Sequence, residues 1–283
     1  DISFEIGAKG FYRFLTGLFQ KVLLANNLSI LYNTFNSITN KTFLSCLFVL
    51  IIYALYLYFD FLGYTNMALG LGKMCGISLE ENFDNPYLAN SISSFWRKWH
   101  ISLSNFFKEY VYFPLGGSKK NKLITIRNLM VVWLLTGIWH GNTINFLLWG
   151  LYYGIIIVLE KFVLNNFLEK IPKIFKHLYV ITIVLFGCIL FTQNSLNDIS
   201  LFISNMFKGN LYNNEVIFYL RDNLFLIILS LLMILKLPES IKNKISNNKF
   251  INIVIIIIYV CLFIITVSFI LSGSFKPFLY NSF

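Results

Sequence analysis

Leu123–Trp139 and Ile144–Leu159 are two apolar runs separated only by His140-Gly141-Asn142-Thr143. Runs of this length traverse most of a hydrocarbon core of ~30 Å at ~1.5 Å per helical residue. The pair therefore predicts a helical hairpin with its turn at residues 140–143. Trp139 and Gly141 flank the histidine, and Thr136, Gly137, Asn142 and Thr143 are small or polar. An ionisable side chain at membrane depth is costly, and so is by default a candidate functional group. Imidazole suits that setting because its neutral form avoids the charge penalty and still exchanges a proton near pH 7.

Working outward, further apolar runs cover Phe43–Leu71, Leu178–Phe191, Leu224–Leu235 and Ile251–Leu271. Phe11–Leu31 is interrupted by Arg13, Gln20, Lys21 and two asparagines, and reads as an interfacial or tilted helix. The chain of 283 residues is 57% hydrophobic and 13% charged. That composition makes the lipid bilayer its solvent, with roughly six to eight crossings at ~20 residues each. The expected fold is all-α: a polytopic helical membrane protein with re-entrant or interfacial helices around a central tunnel. The expected organisation is one membrane-embedded domain over 1–283, with a motif core at 58–150 and C-terminal helices at 178–283. The chain opens at Asp1 without the pattern of a signal peptide, and is expected to be a fragment of a longer one.

The net charge of +10 lies in short blocks between apolar runs, which is a topology signal and not a nucleic-acid footprint. Lys73–Lys122, Lys161–Lys176 and Lys236–Lys249 are basic and are expected to face the cytoplasm. The Gln193–Asp222 stretch is expected outside. His140 lies 17 residues beyond Leu123, or ~26 Å along a helix. This places His140 in the outer half of the membrane and His100, in the basic segment, on the cytoplasmic side. Cys46, Cys75, Cys188 and Cys261 are widely scattered and read as small hydrophobes, with no metal-ligand spacing.

The Lys73–Lys122 segment mixes basic and aromatic residues, with a turn expected at Pro114 and Gly116-Gly117. Within it, Trp96, His100 and Ser104 are spaced i, i+4 as on one helix face, flanked by Arg97 and Lys98. That spacing fits either a tunnel-lining imidazole with basic groups for an anionic ligand, or a helix anchored at the headgroups. Asp60 sits in the middle of an apolar helix and needs a partner, for which Arg97 or Lys98 are candidates. It reads as a structural anchor. No Walker loop, dinucleotide fingerprint, zinc-protease motif or nucleophile elbow is present in the sequence.

The string Tyr58-Phe59-Asp60-Phe61, Gly63-Tyr64, Met67–Gly72, Glu81-Asn82-Phe83, Pro86-Tyr87, Phe95–Ser104, Tyr112–Gly117, Arg127-Asn128, Leu135–Gly141 and Trp149-Gly150 runs in order along the chain. It resembles the membrane-bound O-acyltransferase family, in its bacterial branch of alginate O-acetyltransferase membrane subunits. The ending Pro277-Phe278-Leu279-Tyr280 is similar to that branch. Asn66, Asn142 and Asn281-Ser282 depart from its usual residues.

The resemblance implies a multi-pass enzyme of the bacterial cytoplasmic membrane. Such an enzyme takes an acetyl group from cytosolic acetyl-CoA, with no tightly bound cofactor and no metal. It passes the group to a hydroxyl of an extracytoplasmic polysaccharide, or to an SGNH-type partner transferase. The resemblance also implies missing N-terminal helices. It makes His140 the catalytic histidine, as general base or acyl carrier, and His100 the second motif histidine. Trp96, Arg97, Lys98, Ser104, Trp139, Gly141 and Asn142 would line the substrate. D-alanyl transfer to teichoic acid, a transporter subunit and a catalytically silent scaffold are the rival readings.

Overall fold

A computed structural model describes residues 3–193, 195–235 and 248–272. The ending at Pro277–Tyr280, the departures at Asn281 and Ser282, and most of the basic Lys236–Lys249 stretch lie outside the described residues.

Every apolar run named above becomes helix. In chain order the helices are α1 (Phe4–Phe19), α2 (Asn26–Ser37), α3 (Phe43–Met74), α4 (Ile92–Trp96), α5 (Ile101–Phe107), α6 (Lys122–His140), α7 (Ile144–Leu159), α8 (Asn165–Lys170), α9 (Lys173–Thr192), α10 (Leu196–Lys208), α11 (Asn214–Asp222), α12 (Leu224–Ile234) and α13 (Lys249–Leu271). Single π-helical turns join α1 to α2 at Gln20–Ala25 and α7 to α8 at Glu160–Leu164. Among the described residues there is no strand, only an isolated bridge between Phe83 and Trp99.

Among the described residues six helical stretches are long and apolar enough to cross a membrane, and α11 with the short α12, bent by 63°, makes a seventh if the pair is one span. The outward faces are themselves apolar: Ile253, Ile256 and Ile264 of α13 are all more than half exposed. Greasy helix surfaces of this kind are stable in lipid, where every backbone group is bonded within its own helix. The chain is an all-α polytopic membrane protein.

Two compact units are resolved. The first holds residues 3–37, 52–81, 218–235 and 248–272, and is organised by α1, α2 and the greater part of α3. Gly17 and Gly63 let α1 and α3 approach backbone to backbone, and a Cβ at Gly63 would meet the Gly17 carbonyl at 2.8 Å. The polar residues that made Phe11–Leu31 look interfacial are instead turned onto α3. Arg13 donates to Asn66 Oδ1 (3.2 and 3.1 Å) and pairs with Glu81, while Asn66 Nδ2 donates to Gln20 Oε1 (2.8 Å). Lys21 pairs with Asp60, both side chains being 1% exposed. This corrects the expected partner of Asp60. Arg97 or Lys98 were the candidates the sequence offered, but the buried carboxylate takes the cation on the helix packed against it. Asn66 both donates and accepts here.

The second unit holds residues 38–51, 82–193 and 195–217. Its centre is the hairpin read from the sequence, α6 and α7. The helices pack closely because Gly137 and Gly150 face each other: a Cβ at Gly150 would collide with the Trp133 carbonyl, and one at Gly137 with the Phe146 carbonyl. The Tyr112–Gly117 turn is fastened to α6 by Asn128, which is fully buried. Its Nδ2 donates to the carbonyls of Leu115 (3.1 Å) and Gly117 (3.0 Å), and its Oδ1 accepts from Arg127. Gly116 and Gly117 carry positive φ there, as that turn requires.

Candidate functional site

His140 is the last residue of α6 and is 5% exposed. It sits among rings from three helices: Trp139 at 4.9 Å, Trp149 at 4.9 Å, Phe191 at 5.3 Å and Phe146 at 6.4 Å between centroids. Gly141 ends the helix with extended backbone. Its lack of a side chain matters for space, because a Cβ would run into the Phe146 ring. Asn142 follows on the exposed turn, and Thr136 donates back to Val132 within the helix (2.8 Å).

His100 is positioned differently from its expected place on a continuous helix. α4 stops at Trp96, and His100 itself adopts left-handed backbone (φ 48°, ψ 57°) before α5 starts at Ile101. The i, i+4 row of Trp96, His100 and Ser104 is therefore broken, because a residue at positive φ cannot continue a right-handed helix. What holds the kink is Asn82. Its backbone carbonyl accepts from Ile101 N (3.1 Å), and its Oδ1 accepts from Ser102 N (3.2 Å) and Ser102 Oγ (2.7 Å). A backbone N–H can only donate, so the atom facing Ser102 is the amide oxygen. The same oxygen lies 3.3 Å from His100 Nδ1, which places the ring proton on Nδ1 and the lone pair on Nε2. Burial pushes the His100 pKa down from 6.5 to about 4, so the ring is neutral at pH 7.

The two histidines are close together, which rules out the two ends of a channel and leaves its interior. The Trp139 indole lies 5.9 Å from the His100 ring and 4.9 Å from His140. Two ring-to-ring steps of that size cannot span a core of ~30 Å. Charge placement reported the ends of the segment and not the path of the short helices inside it.

The remaining candidates separate into two groups. Trp96 is in the aromatic mesh, at 5.0 Å from Trp133, 5.3 Å from Trp149 and 4.7 Å from Tyr153. Trp139 is half exposed beside both histidines. Ser104 Oγ donates to the Trp96 carbonyl (3.1 Å), tying α5 back to α4. Lys98 lies 3.4 Å from Asp84 at the surface, and Arg97 is exposed. Asp60 belongs to the first unit, paired with Lys21.

Sequence reasoning gave no role to Asn82, Trp149, Phe191 or Glu160. Glu160 is 4% exposed and accepts from Ile92 N (2.6 Å), Ser93 N (2.8 Å) and Ser93 Oγ (2.6 Å), fixing the start of α4. A carboxylate closing an apolar run was the available signal for it. Trp149 could have been found as the inward face of the second hairpin helix, whereas Phe191 had no local signal.

A model of the membrane-bound O-acyltransferase family matches residues 7–202, which include both histidines and the rings around them. The chain belongs to the membrane-bound O-acyltransferase family. Among curated members it is 36% identical over 190 residues to the probable alginate O-acetylase AlgI of Pseudomonas fluorescens, covering 67% of this chain and 38% of that protein. It is 38% identical over 195 residues to the peptidoglycan O-acetyltransferase of Helicobacter pylori, covering 68% and 37%. It is 32% identical over 174 residues to the teichoic acid D-alanyltransferase of Bacillus subtilis, covering 59% and 41%. The chain thus spans about two fifths of the length of these relatives. The residues that the family model matches include the aromatic enclosure of His140 and the Asn82-held His100.

Proposed function

We propose that this chain is the histidine-bearing part of an O-acyltransferase of the bacterial cytoplasmic membrane. It would move an acetyl group from cytosolic acetyl-CoA to a hydroxyl on the extracytoplasmic side. The observation that carries this reading is His140. It is an imidazole at a helix end, enclosed by four rings and sharing one of them with a second, neutral histidine, within the region the family model matches. Enclosure excludes water, which protects a thioester from hydrolysis and strengthens every polar contact made to it.

In the step proposed, His140 takes the proton of the attacking hydroxyl as its oxygen bonds to the thioester carbon. The carbon–sulfur bond breaks, coenzyme A leaves as its thiolate, and the proton returns to sulfur. The charge that develops on His140 lies at the negative end of the α6 dipole. Arg97 is available for the donor's phosphates, and Lys98 could join it by leaving Asp84. The acceptor is an extracytoplasmic polysaccharide, reached directly or through an SGNH-type partner.

Acetyl is preferred to D-alanyl because the two relatives named for O-acetylation are more similar to this chain, over more of it, than the D-alanyltransferase. The test is donor choice. Membranes containing the intact protein are supplied with acetyl-labelled coenzyme A or with labelled D-alanine and its activating system. Label from acetyl-CoA in extracytoplasmic polymer is the expected result. Label from D-alanine alone would contradict the acetyl assignment.

A further inference from the structure

In the histidine-bearing unit, two buried side-chain polar atoms have no hydrogen-bond partner among the described residues: Trp96 Nε1 and Asn145 Oδ1. Such orphans are few in a folded protein, and each calls for an explanation, a water, an ion or a bound group among them. Both adjoin Trp149. Trp96 meets its ring at 5.3 Å, and Asn145 precedes it by one turn on the same face of α7. Trp149 in turn packs on His140 at 4.9 Å. The orphaned atoms therefore lie one ring removed from the candidate base.

Trp96 is held firmly. Rings of Phe95, Trp133, Trp149 and Tyr153 meet it edge-to-face, and Ser104 holds its carbonyl. An indole N–H can donate and cannot accept, so its missing partner is an acceptor atom. In apolar surroundings a bond to such an atom is strengthened.

We propose that Trp96 Nε1–H donates a hydrogen bond to the carbonyl oxygen of the acyl thioester. The inference rests on the acyl-transfer reading and adds to it the group that recognises the reacting carbonyl. No bond to Trp96 is made or broken. As the hydroxyl oxygen adds to the thioester carbon, the carbonyl electron pair moves onto the oxygen that Trp96 holds. It returns as the carbon–sulfur bond breaks and the thiolate departs. A donor aimed at developing negative charge stabilises it most in a site closed to water.

The test compares two coenzyme A analogues as competitors of labelled acetyl-CoA on the intact protein in proteoliposomes. Acetonyl-CoA keeps a carbonyl, and S-propyl-CoA replaces it with methylene. The wild type is expected to prefer acetonyl-CoA by roughly 3–10-fold, the scale of one hydrogen bond. Trp96→Phe keeps a ring without the N–H, and is expected to bring that preference to about one while S-propyl-CoA binding is kept. Benzothienylalanine at position 96 preserves the indole's shape without the donor and decides the matter if the phenylalanine variant folds poorly. Preference retained in the benzothienylalanine protein overturns the proposal, as does a wild type that binds both analogues equally. A wild type that binds acetyl-CoA but shows no preference leaves the acyl-transfer reading standing. One that binds neither acetyl-CoA nor the analogues removes both.

Discussion

His100 is neutral because it is buried, and that has a measurable consequence. The unfolded ring takes up a proton near pH 6.5 and the folded ring only near pH 4. Between those values the unfolded chain holds more protons, so stability rises with pH across this window and falls as pH drops through it. Thermal unfolding midpoints of the detergent-solubilised protein should decline from pH 6.5 toward pH 4, and less steeply in His100→Gln. Equal slopes in the two proteins would show that the ring does not titrate as its burial implies. Both histidines were legible as residues, since each follows a tryptophan in an otherwise apolar or aromatic stretch. Their partners were not: Asn82 lies 18 residues before His100, and Phe191 lies 51 after His140. Asp60 was legible as a buried carboxylate in need of a cation, but the choice of Lys21 depends on how α1 packs on α3. No local pattern encodes that.

At the scale of elements, the α6–α7 hairpin is the frame of the site. It sets Trp139, His140, Phe146 and Trp149 around one another, and its tightness depends on Gly137 and Gly150. Gly150→Val would press a branched side chain onto the Trp133 carbonyl. Overpacking of this kind costs about 1–3 kcal/mol or more, and here it meets backbone that cannot rotate away. The expected outcome is a lower unfolding temperature together with reduced acyl transfer. An unchanged melting temperature would mean that the helices are not in contact at this pair. The hairpin was readable because two apolar runs and a four-residue polar break leave few alternatives. The interruption at His100 was hidden, because i, i+4 spacing looks the same whether or not the chain passes through left-handed backbone between the two residues. The turn at Gly116-Gly117 was readable from its glycines, but the role of Asn128 in fastening it was not.

For the whole molecule, apolar composition and basic blocks give a helical membrane protein, and the structure has that character in its exposed aliphatic faces. Charge blocks could not resolve depth inside the 82–121 segment, since short helices and a kink bring His100 to the same indole as His140. The account of the chain as part of an acyltransferase turns on His140 as the base. Its most direct test uses the intact protein in proteoliposomes, with acetyl-labelled coenzyme A on the cytoplasmic side and acceptor polymer on the other. The rate of label transfer is compared between the wild type and His140→Gln of equal melting temperature. Loss of a general base predicts a fall on the order of 10²–10⁴-fold. A variant that folds normally and transfers acetyl groups at the wild-type rate would contradict the account.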